Sequence, residues 1–281
     1  MNFRVNGMAR DTVPVLDRAV QYGDGLFETL RVRDAQPEFL GRHLKRLDSG
    51  CQRLRFPAIP WPRLAHEVAE LASQLPHAAL KIILTRGQSG RGYRFDPDQA
   101  ATRLLALAPL PQWPVDIPRH GIRARLCATR LCSQPLLAGI KHLNRLEQVL
   151  ARAEWDDPGI HEGLMLDYAG NVVEGTMSNI FLVCEGTLVT PALTACGVAG
   201  IMRSVILDLA RQCNLNTEIR PVMLQQVQNS SEVFVCNSLI GIWPVHKIDG
   251  LAEYPVGRVT RTLADALLGY RDSDEDNWYP T

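Results

Sequence analysis

Lys141 is the residue of this sequence with the most scope for covalent chemistry. The chain has 30 Lys plus Arg residues, but its lysines are few: Lys45, Lys81, Lys141 and Lys247. Lys141 stands among apolar neighbours, where partial burial lowers the pKa of an amine and frees the neutral nucleophile to form a Schiff base with a carbonyl. The alternative is a lysine at the start of a helix that contributes ordinary surface charge.

Glu174 is the second candidate, because it lies between an apolar pair, Val172-Val173, and an apolar strand. A charge in such a place is costly unless it has a partner. A carboxylate at a sheet edge, facing water, is the alternative that the sequence leaves open.

Three turns carry donors suited to an anion. Glycines at 197 and 200 lead into a helix that begins near Ile201 and Met202, and free N–H groups at a helix N-terminus favour phosphate. The turn after residue 236 offers the Ser238 hydroxyl, and the loop 85–93 holds three glycines with Arg86 and Arg91. That loop lacks the closing Gly-Lys-Ser or Gly-Lys-Thr of a P-loop. A plain turn before a core helix and a flexible surface loop are the alternatives.

Periodicity predicts the elements that position these residues. Residues 26–32 read as a strand with Phe27, Thr29 and Arg31 on one face and Glu28, Leu30 and Val32 on the other. Apolar spacing predicts helices over 40–55, 61–75 and 256–268, one from 201 to about 213, and one that follows Lys141 and runs to Trp155. Further strands are predicted at 78–85, 102–108, 121–128, 163–167, 232–236 and 242–248, with one more after Glu174 in the stretch 172–183, and Asn6-Gly7 predicts a hairpin between 3–5 and 8–10.

Length and composition indicate a globular protein of two domains. The chain has 281 residues, with 46% hydrophobic and 21% charged. Prolines at 109, 111, 114 and 118 suggest a linker over 109–118, between an N-terminal α/β domain (1–108) and a larger domain (119–270), with a polar tail over 271–281.

The same composition argues against several function classes. A formal net charge of zero speaks against nucleic-acid or membrane-surface binding driven by bulk charge. There is no apolar run long enough to span a bilayer and no signal-peptide core at the N-terminus. Seven cysteines without CxxC pairs indicate neither a disulfide framework nor a zinc site, so we expect a cytoplasmic protein without a bound metal.

A lysine among apolar neighbours, a carboxylate beside a strand and turns that could bind an anion together suit pyridoxal 5′-phosphate. The chain resembles the fold-type IV enzymes, which use this cofactor. The segments that carry the resemblance are 17–29, 85–93, 138–152 and 197–203, and within the family the run 139–147 (GIKHLNRLE) is similar to the lyases that act on 4-amino-4-deoxychorismate. The resemblance implies an α+β fold, with a smaller α/β domain and a larger barrel-like domain, in a homodimer.

The resemblance also implies a role for each candidate residue. Lys141 would hold the cofactor as an aldimine, and after the substrate amine had displaced it, it would take a ring proton. Thr29 would donate a proton as pyruvate leaves and 4-aminobenzoate, a folate precursor, forms. Glu174 would bond the pyridine nitrogen, while the phosphate and the substrate carboxylates would be held by two further sets: Arg46, the Ile201 and Met202 amides and Ser238 for the phosphate, and Arg91 and Tyr93 for the carboxylates.

Two other functions stay open at this point. An aminotransferase of the same fold, acting on branched-chain or D-amino acids, would carry a tyrosine where Arg145 aligns, close to the ring oxygen of the cofactor. A non-catalytic cofactor-binding protein would need no reactive lysine at position 141.

Overall fold

The computed structural model describes residues 2–270. These residues divide into two compact units, one formed by 2–112 with Ile140–Asn144 and one by Trp113–Gly139 with 145–270. The predicted tail, 271–281, lies outside the described residues. The linker and domain boundaries proposed from the prolines stay a prediction.

The first unit is an antiparallel sheet with helices, and its strands follow the order β1-β5-β4-β2-β3. Its elements are β1 (Asn2–Val5), α1 (Arg18–Tyr22), β2 (Gly25–Arg33), β3 (Gln36–Pro37), α2 (Leu40–Arg53), α3 (Trp61–Ala72), β4 (His77–Thr85) and β5 (Thr102–Pro109). Along β2 the burial alternates as predicted, with Glu28, Leu30 and Val32 buried and Phe27, Thr29 and Arg31 partly exposed. The buried face packs with apolar side chains of α2 and α3 into one core.

The second unit is built on a nine-stranded sheet, ordered β11-β10-β9-β12-β13-β6-β7-β8, with β14 paired to β13. Its elements are α4 (Ile117–His120), β6 (Ile122–Leu131), α5 (Leu146–Arg152), β7 (Ile160–Asp167), β8 (Val172–Gly175), β9 (Asn179–Cys184), β10 (Thr187–Pro191), α6 (Ile201–Gln212), β11 (Thr217–Arg220), α7 (Leu224–Gln228), β12 (Glu232–Asn237), β13 (Gly241–Ile248), β14 (Ala252–Glu253) and α8 (Arg258–Gly269). No helix of the described chain combines the length and the hydropathy that a membrane span requires.

Two sequence predictions are wrong in detail. Asn6-Gly7 does turn, with φ of 53° and 83°, but among the described residues the only bridge across it joins Val5 and Met8, and residues 8–10 form no strand. Pro118 lies inside the short helix α4, which the proline-rich stretch was expected to exclude; a proline is tolerated in a first helical turn.

The helix after Lys141 is shorter than predicted and begins only at Leu146. Residues before it are drawn into an extended segment beside β2, and this pairing competes with helix formation. The apolar positions Leu146, Val149 and Leu150 are 76%, 60% and 61% exposed, so the apolar face of α5 is not part of a core within this chain.

Candidate active site

The segment Ile140–Asn144 holds Lys141 against the first half of β2. The N–H of Phe27 donates to the carbonyl oxygen of Lys141 at 3.0 Å, and the N–H of Leu143 donates to that of Gly25 at 3.0 Å. Leu26 and His142 form an antiparallel bridge between these two bonds. The backbone of Lys141 is therefore fixed by strand pairing rather than by a helix.

The Lys141 side chain lies over Phe27, with Nζ 4.3 Å from the ring centre. Lys81 reaches the same ring, with its Nζ at 5.1 Å. Thr29 points to the same face of β2 as Phe27, and its cross-strand partner on β4 is Lys81. The first unit thus gathers Lys141, Thr29, Lys81 and Phe27 on one sheet face.

Lys81 and Phe27 were not among the predicted site residues. The signal for Lys81 was present, because it is one of four lysines and interrupts an apolar strand. What the sequence did not reveal is the register, which places Lys81 opposite Thr29.

Arg46, the predicted phosphate ligand on α2, forms a bidentate ion pair with Glu28. Its Nε donates to Oε1 of Glu28 at 2.7 Å, and its Nη2 donates to Oε2. This pair uses the Nε edge of the guanidinium, so Nη1 points away from Glu28. Burial alone would raise the pKa of Glu28, but the interactions with Arg46 and His43 together outweigh it and lower that pKa to about 2.

His43 completes this buried cluster, with Nδ1 2.6 Å from Oε2 of Glu28. Burial lowers the pKa of His43 despite the neighbouring carboxylate. The imidazole is therefore neutral at neutral pH, and because Glu28 is ionised, His43 holds a proton on Nδ1 and donates it to Glu28. Arg46 is thus held by a carboxylate that is itself fixed by a second donor.

Glu174, in the second unit, is 4% exposed rather than facing water. Its Oε2 accepts a hydrogen bond from the N–H of Val198 at 2.8 Å. Arg145 lies within electrostatic range: burial lowers the pKa of its guanidinium, and the charges of Glu174 and Glu147 oppose that effect. The buried carboxylate that the sequence predicted as a ligand for a ring nitrogen is therefore held in a fixed orientation.

The N-cap residue of helix α6 is Gly200, which offers no side-chain cap. Asn179 fixes the approach to this helix, because its Nδ2 donates to the Val198 carbonyl at 2.9 Å and its Oδ1 accepts from the Gly200 N–H at 3.1 Å. Within residues 2–270, no hydrogen-bond acceptor is found for the N–H groups of Ile201 and Met202. Two open donors at a helix N-terminus fit a phosphate group.

Asn179 is another residue that the sequence prediction missed. It directly follows Ser178 in a stretch already singled out for Glu174, but its partners lie 19 and 21 positions further along the chain. Local pattern carries no information about such partners.

Ser238 follows β12 in a turn organised by its neighbour. Oδ1 of Asn237 accepts from the N–H groups of Leu239 and Ile240 at 2.9 and 3.0 Å. Asn237 also donates through Nδ2 to the Met177 carbonyl at 3.1 Å. The Ser238 backbone is therefore tied to the turn that follows Glu174.

Arg91 and Tyr93 lie on an exposed loop of the first unit, and Tyr93 is 84% exposed. Buried Arg18 fixes this loop by donating to the carbonyl groups of Gly92 and Tyr93 at 3.1 and 3.2 Å. The Tyr22 hydroxyl accepts a further bond from the Gly92 N–H at 3.0 Å. The loop is anchored at its backbone while both predicted substrate contacts face outward.

Comparisons with known proteins show which family the chain belongs to. The family model for amino-transferase class IV matches residues 25–248. In its structure, the chain is similar to 4-amino-4-deoxychorismate lyase from Pseudomonas aeruginosa, with 47% identity and a TM-score of 0.90, over 94% of this chain and 97% of that one.

The chain is also similar to two further proteins, one a lyase and one an aminotransferase. Aminodeoxychorismate lyase from Vibrio harveyi is 34% identical, over 94% of this chain and 99% of its own length. The structure of the branched-chain amino acid aminotransferase from Escherichia coli is 25% identical, with a TM-score of 0.83, over 95% of this chain and 93% of that one.

Proposed function

Because the chain belongs to the amino-transferase class IV family, we propose that it is a pyridoxal-phosphate-dependent lyase that converts 4-amino-4-deoxychorismate to 4-aminobenzoate and pyruvate. The observation that carries this proposal is the 47% identity to the Pseudomonas aeruginosa lyase, against 25% to the aminotransferase at nearly equal coverage. The same likenesses confirm the predicted two-domain fold-type IV class.

The residues fit the cofactor, which supplies an aldehyde, a ring that accepts electrons and a phosphate. Lys141 offers the amine that bonds the aldehyde. Glu174 offers a buried carboxylate, which keeps a pyridine nitrogen protonated. The open amides of Ile201 and Met202, joined in this proposal by Arg46 and Ser238, receive the phosphate.

The reaction then needs two proton transfers. The Lys141 amine takes the proton from the ring carbon of the substrate, and Thr29, on the face of β2 that Lys141 overlies, gives a proton to the departing enolpyruvyl group. We assign Arg91 and Tyr93 to the substrate carboxylates. Loss of the ring proton and of the enolpyruvyl group, which becomes pyruvate when it is protonated, leaves an aromatic ring, which favours the products.

Arg145 supports a lyase over an aminotransferase. The family resemblance implies a tyrosine at this position in the branched-chain aminotransferases, close to the ring oxygen of the cofactor. Here a partly buried guanidinium within electrostatic range of Glu174 adds a positive charge that a tyrosine hydroxyl would not supply.

We also propose a cytoplasmic homodimer. The exposed apolar positions of α5, which lie three and four residues apart, form one helix face that a second copy would cover. Sedimentation equilibrium of the purified protein tests this, and a monomer at micromolar concentration would contradict it.

The activity is tested by incubating the pure protein with 4-amino-4-deoxychorismate and measuring 4-aminobenzoate and pyruvate. We expect equal amounts of both products. Lys141→Ala should lower the rate by about 10³-fold or more, because it removes both the attachment point and the base. Lys247→Ala is the matched control: this lysine pairs at the surface with Glu253, so its loss should leave the rate unchanged.

Two outcomes would contradict the proposal. Rapid amino-group transfer to 2-oxo acids without release of 4-aminobenzoate would indicate the aminotransferase. Full activity in Lys141→Ala would indicate a protein in which this lysine has no chemical role.

A further inference from the structure

Glu162 is a fully buried carboxylate on β7 that none of the roles proposed above uses. It accepts hydrogen bonds from five neutral donors: the N–H of Gly163 (2.9 Å), the N–H and Oγ1 of Thr176 (2.9 and 2.6 Å), the N–H of Met177 (3.4 Å) and Oγ of Ser178 (2.6 Å). Burial raises the pKa of Glu162 even against these donors. Four of these five hydrogen bonds come from residues 176–178, so this carboxylate, which is costly to bury, interacts mainly with one short stretch of chain.

That stretch is the turn 175–178, which separates β8 from β9. The turn packs directly on the carboxylate, because a Cβ at Gly175 would come within 2.7 Å of Glu162 Cδ and 2.4 Å of Ser178 Oγ. Glu162 bonds two backbone N–H groups and two hydroxyls of the turn, so it fixes both the path of the backbone and two side-chain rotamers.

Three branches lead from this turn to the proposed cofactor contacts. Glu174 immediately precedes it and accepts from the Val198 N–H. Asn179 immediately follows it and holds both Val198 and Gly200, the N-cap of α6. Asn237, next to Ser238, donates to the Met177 carbonyl inside the turn.

The contact between Asn179 and the start of α6 leaves little room for displacement. A Cβ at Gly200 would lie 2.0 Å from Oδ1 of Asn179, so the approach to the helix depends on where Asn179 stands. A displacement of the turn would move Asn179 and, with it, the amides of Ile201 and Met202.

We propose that Glu162 is a positioning residue that holds Glu174, the first turn of α6 and Ser238 in register for the cofactor. This rests on the cofactor contacts of the proposed function, and not on which reaction follows. A single carboxylate then supports both the contact to the ring nitrogen and the contact to the phosphate.

The test is the affinity of the full chain for its cofactor, measured by titration of the visible absorption band with pyridoxal phosphate. Glu162→Gln keeps the size of the side chain but replaces one acceptor oxygen with a donor, which faces the donors of the turn. We expect affinity to fall by about 10- to 100-fold, by analogy with metal sites, where removing the residues that orient the ligands has an effect of this size. Unphosphorylated pyridoxal, which lacks the phosphate contacts, should lose less.

Glu232→Gln is the matched control in the same unit. Glu232 is also a buried carboxylate, and it accepts from the N–H of Val259 and the N–H and Oγ1 of Thr260 at the start of α8. It should lower the melting temperature without changing cofactor affinity by more than about twofold, since a cap acts on its own helix.

Three outcomes would overturn the proposal: wild-type affinity in a folded Glu162→Gln, an equal loss of affinity in both variants, or no cofactor binding by the wild type. If Glu162→Gln does not fold, Ser178→Ala removes one of the donors, and its affinity decides between the same outcomes. A wild type that binds the cofactor but releases no 4-aminobenzoate would refute the proposed function while leaving this inference intact.

Discussion

In the first unit, Glu28 on β2 meets the guanidinium of Arg46 and the imidazole of His43; in the second, Glu162 on β7 meets five neutral donors. Both carboxylates are fully buried. The pKa of Glu28 is lowered to about 2, because its interactions with Arg46 and His43 together outweigh the effect of burial. The pKa of Glu162 is raised, because hydrogen bonds from neutral groups do not offset its burial.

The difference corresponds to what each glutamate holds in place. Glu28 contacts the side chains of Arg46 and His43, and a charged guanidinium is best held by a bidentate ion pair. Glu162 fixes a turn of the backbone, whose N–H groups carry only partial charges. The ion pair of Glu28 therefore orients a charged side chain, whereas the hydrogen bonds of Glu162 with neutral groups orient the backbone of a turn.

Arg46→Met is expected to have the largest effect on stability, because it leaves Glu28 buried without its cation. Breaking one side of a buried ion pair costs about 3–5 kcal/mol. Urea unfolding followed by circular dichroism measures this loss. Arg53→Met, an exposed position on the same helix, is the control and should change the free energy of unfolding by less than about 0.5 kcal/mol. Equal losses in the two variants would show that the Glu28 pair does not stabilise the fold.

Part of this comparison could be predicted from the sequence. The two-residue period of β2 placed Glu28 on the face of Leu30 and Val32, which is buried. Apolar spacing also predicted α2, whose Arg46 and His43 reach Glu28. A buried acid beside a predicted helix rich in basic residues was therefore within reach of pattern reasoning.

The second unit was less predictable for a physical reason. The residues that organise its site interact across 14 to 60 positions of chain, as in Glu162 with Thr176 and Asn237 with Met177. Helix and strand periods report only which face is apolar, and they do not identify tertiary partners. The segment around Lys141 departs from the predicted helix for the same reason, because its pairing with β2 overrides a local helical pattern.

Glu28 should also govern stability in acid. Its folded pKa of about 2 lies below the unfolded value of 4.5, so it stabilises the fold above pH 4.5, and this contribution is lost as the pH falls towards 2. The shift corresponds to about 3 kcal/mol. Glu28→Gln, compared with wild type by urea unfolding from pH 7 to pH 3, should therefore be much less stable at pH 7 and approach the wild type as the pH falls. A difference that stays constant over this range would contradict an ionised Glu28.

In the same experiment, the difference in stability between Glu162→Gln and wild type should also change with pH. The change should be smaller than for Glu28→Gln and in the opposite direction. The folded pKa of Glu162 is raised above its unfolded value, so the folded state favours the protonated form. Its contribution to stability is largest below pH 4.5 and declines as the pH rises through the folded pKa. At low pH the substitution should cost about 1–2 kcal/mol, the range for a buried group whose hydrogen bonds are disturbed, and this cost should shrink as the pH rises. If the two differences instead move in the same direction with pH, then Glu162 has a cation nearby in solution, and the contrast between an ion-paired and a dipole-held glutamate fails.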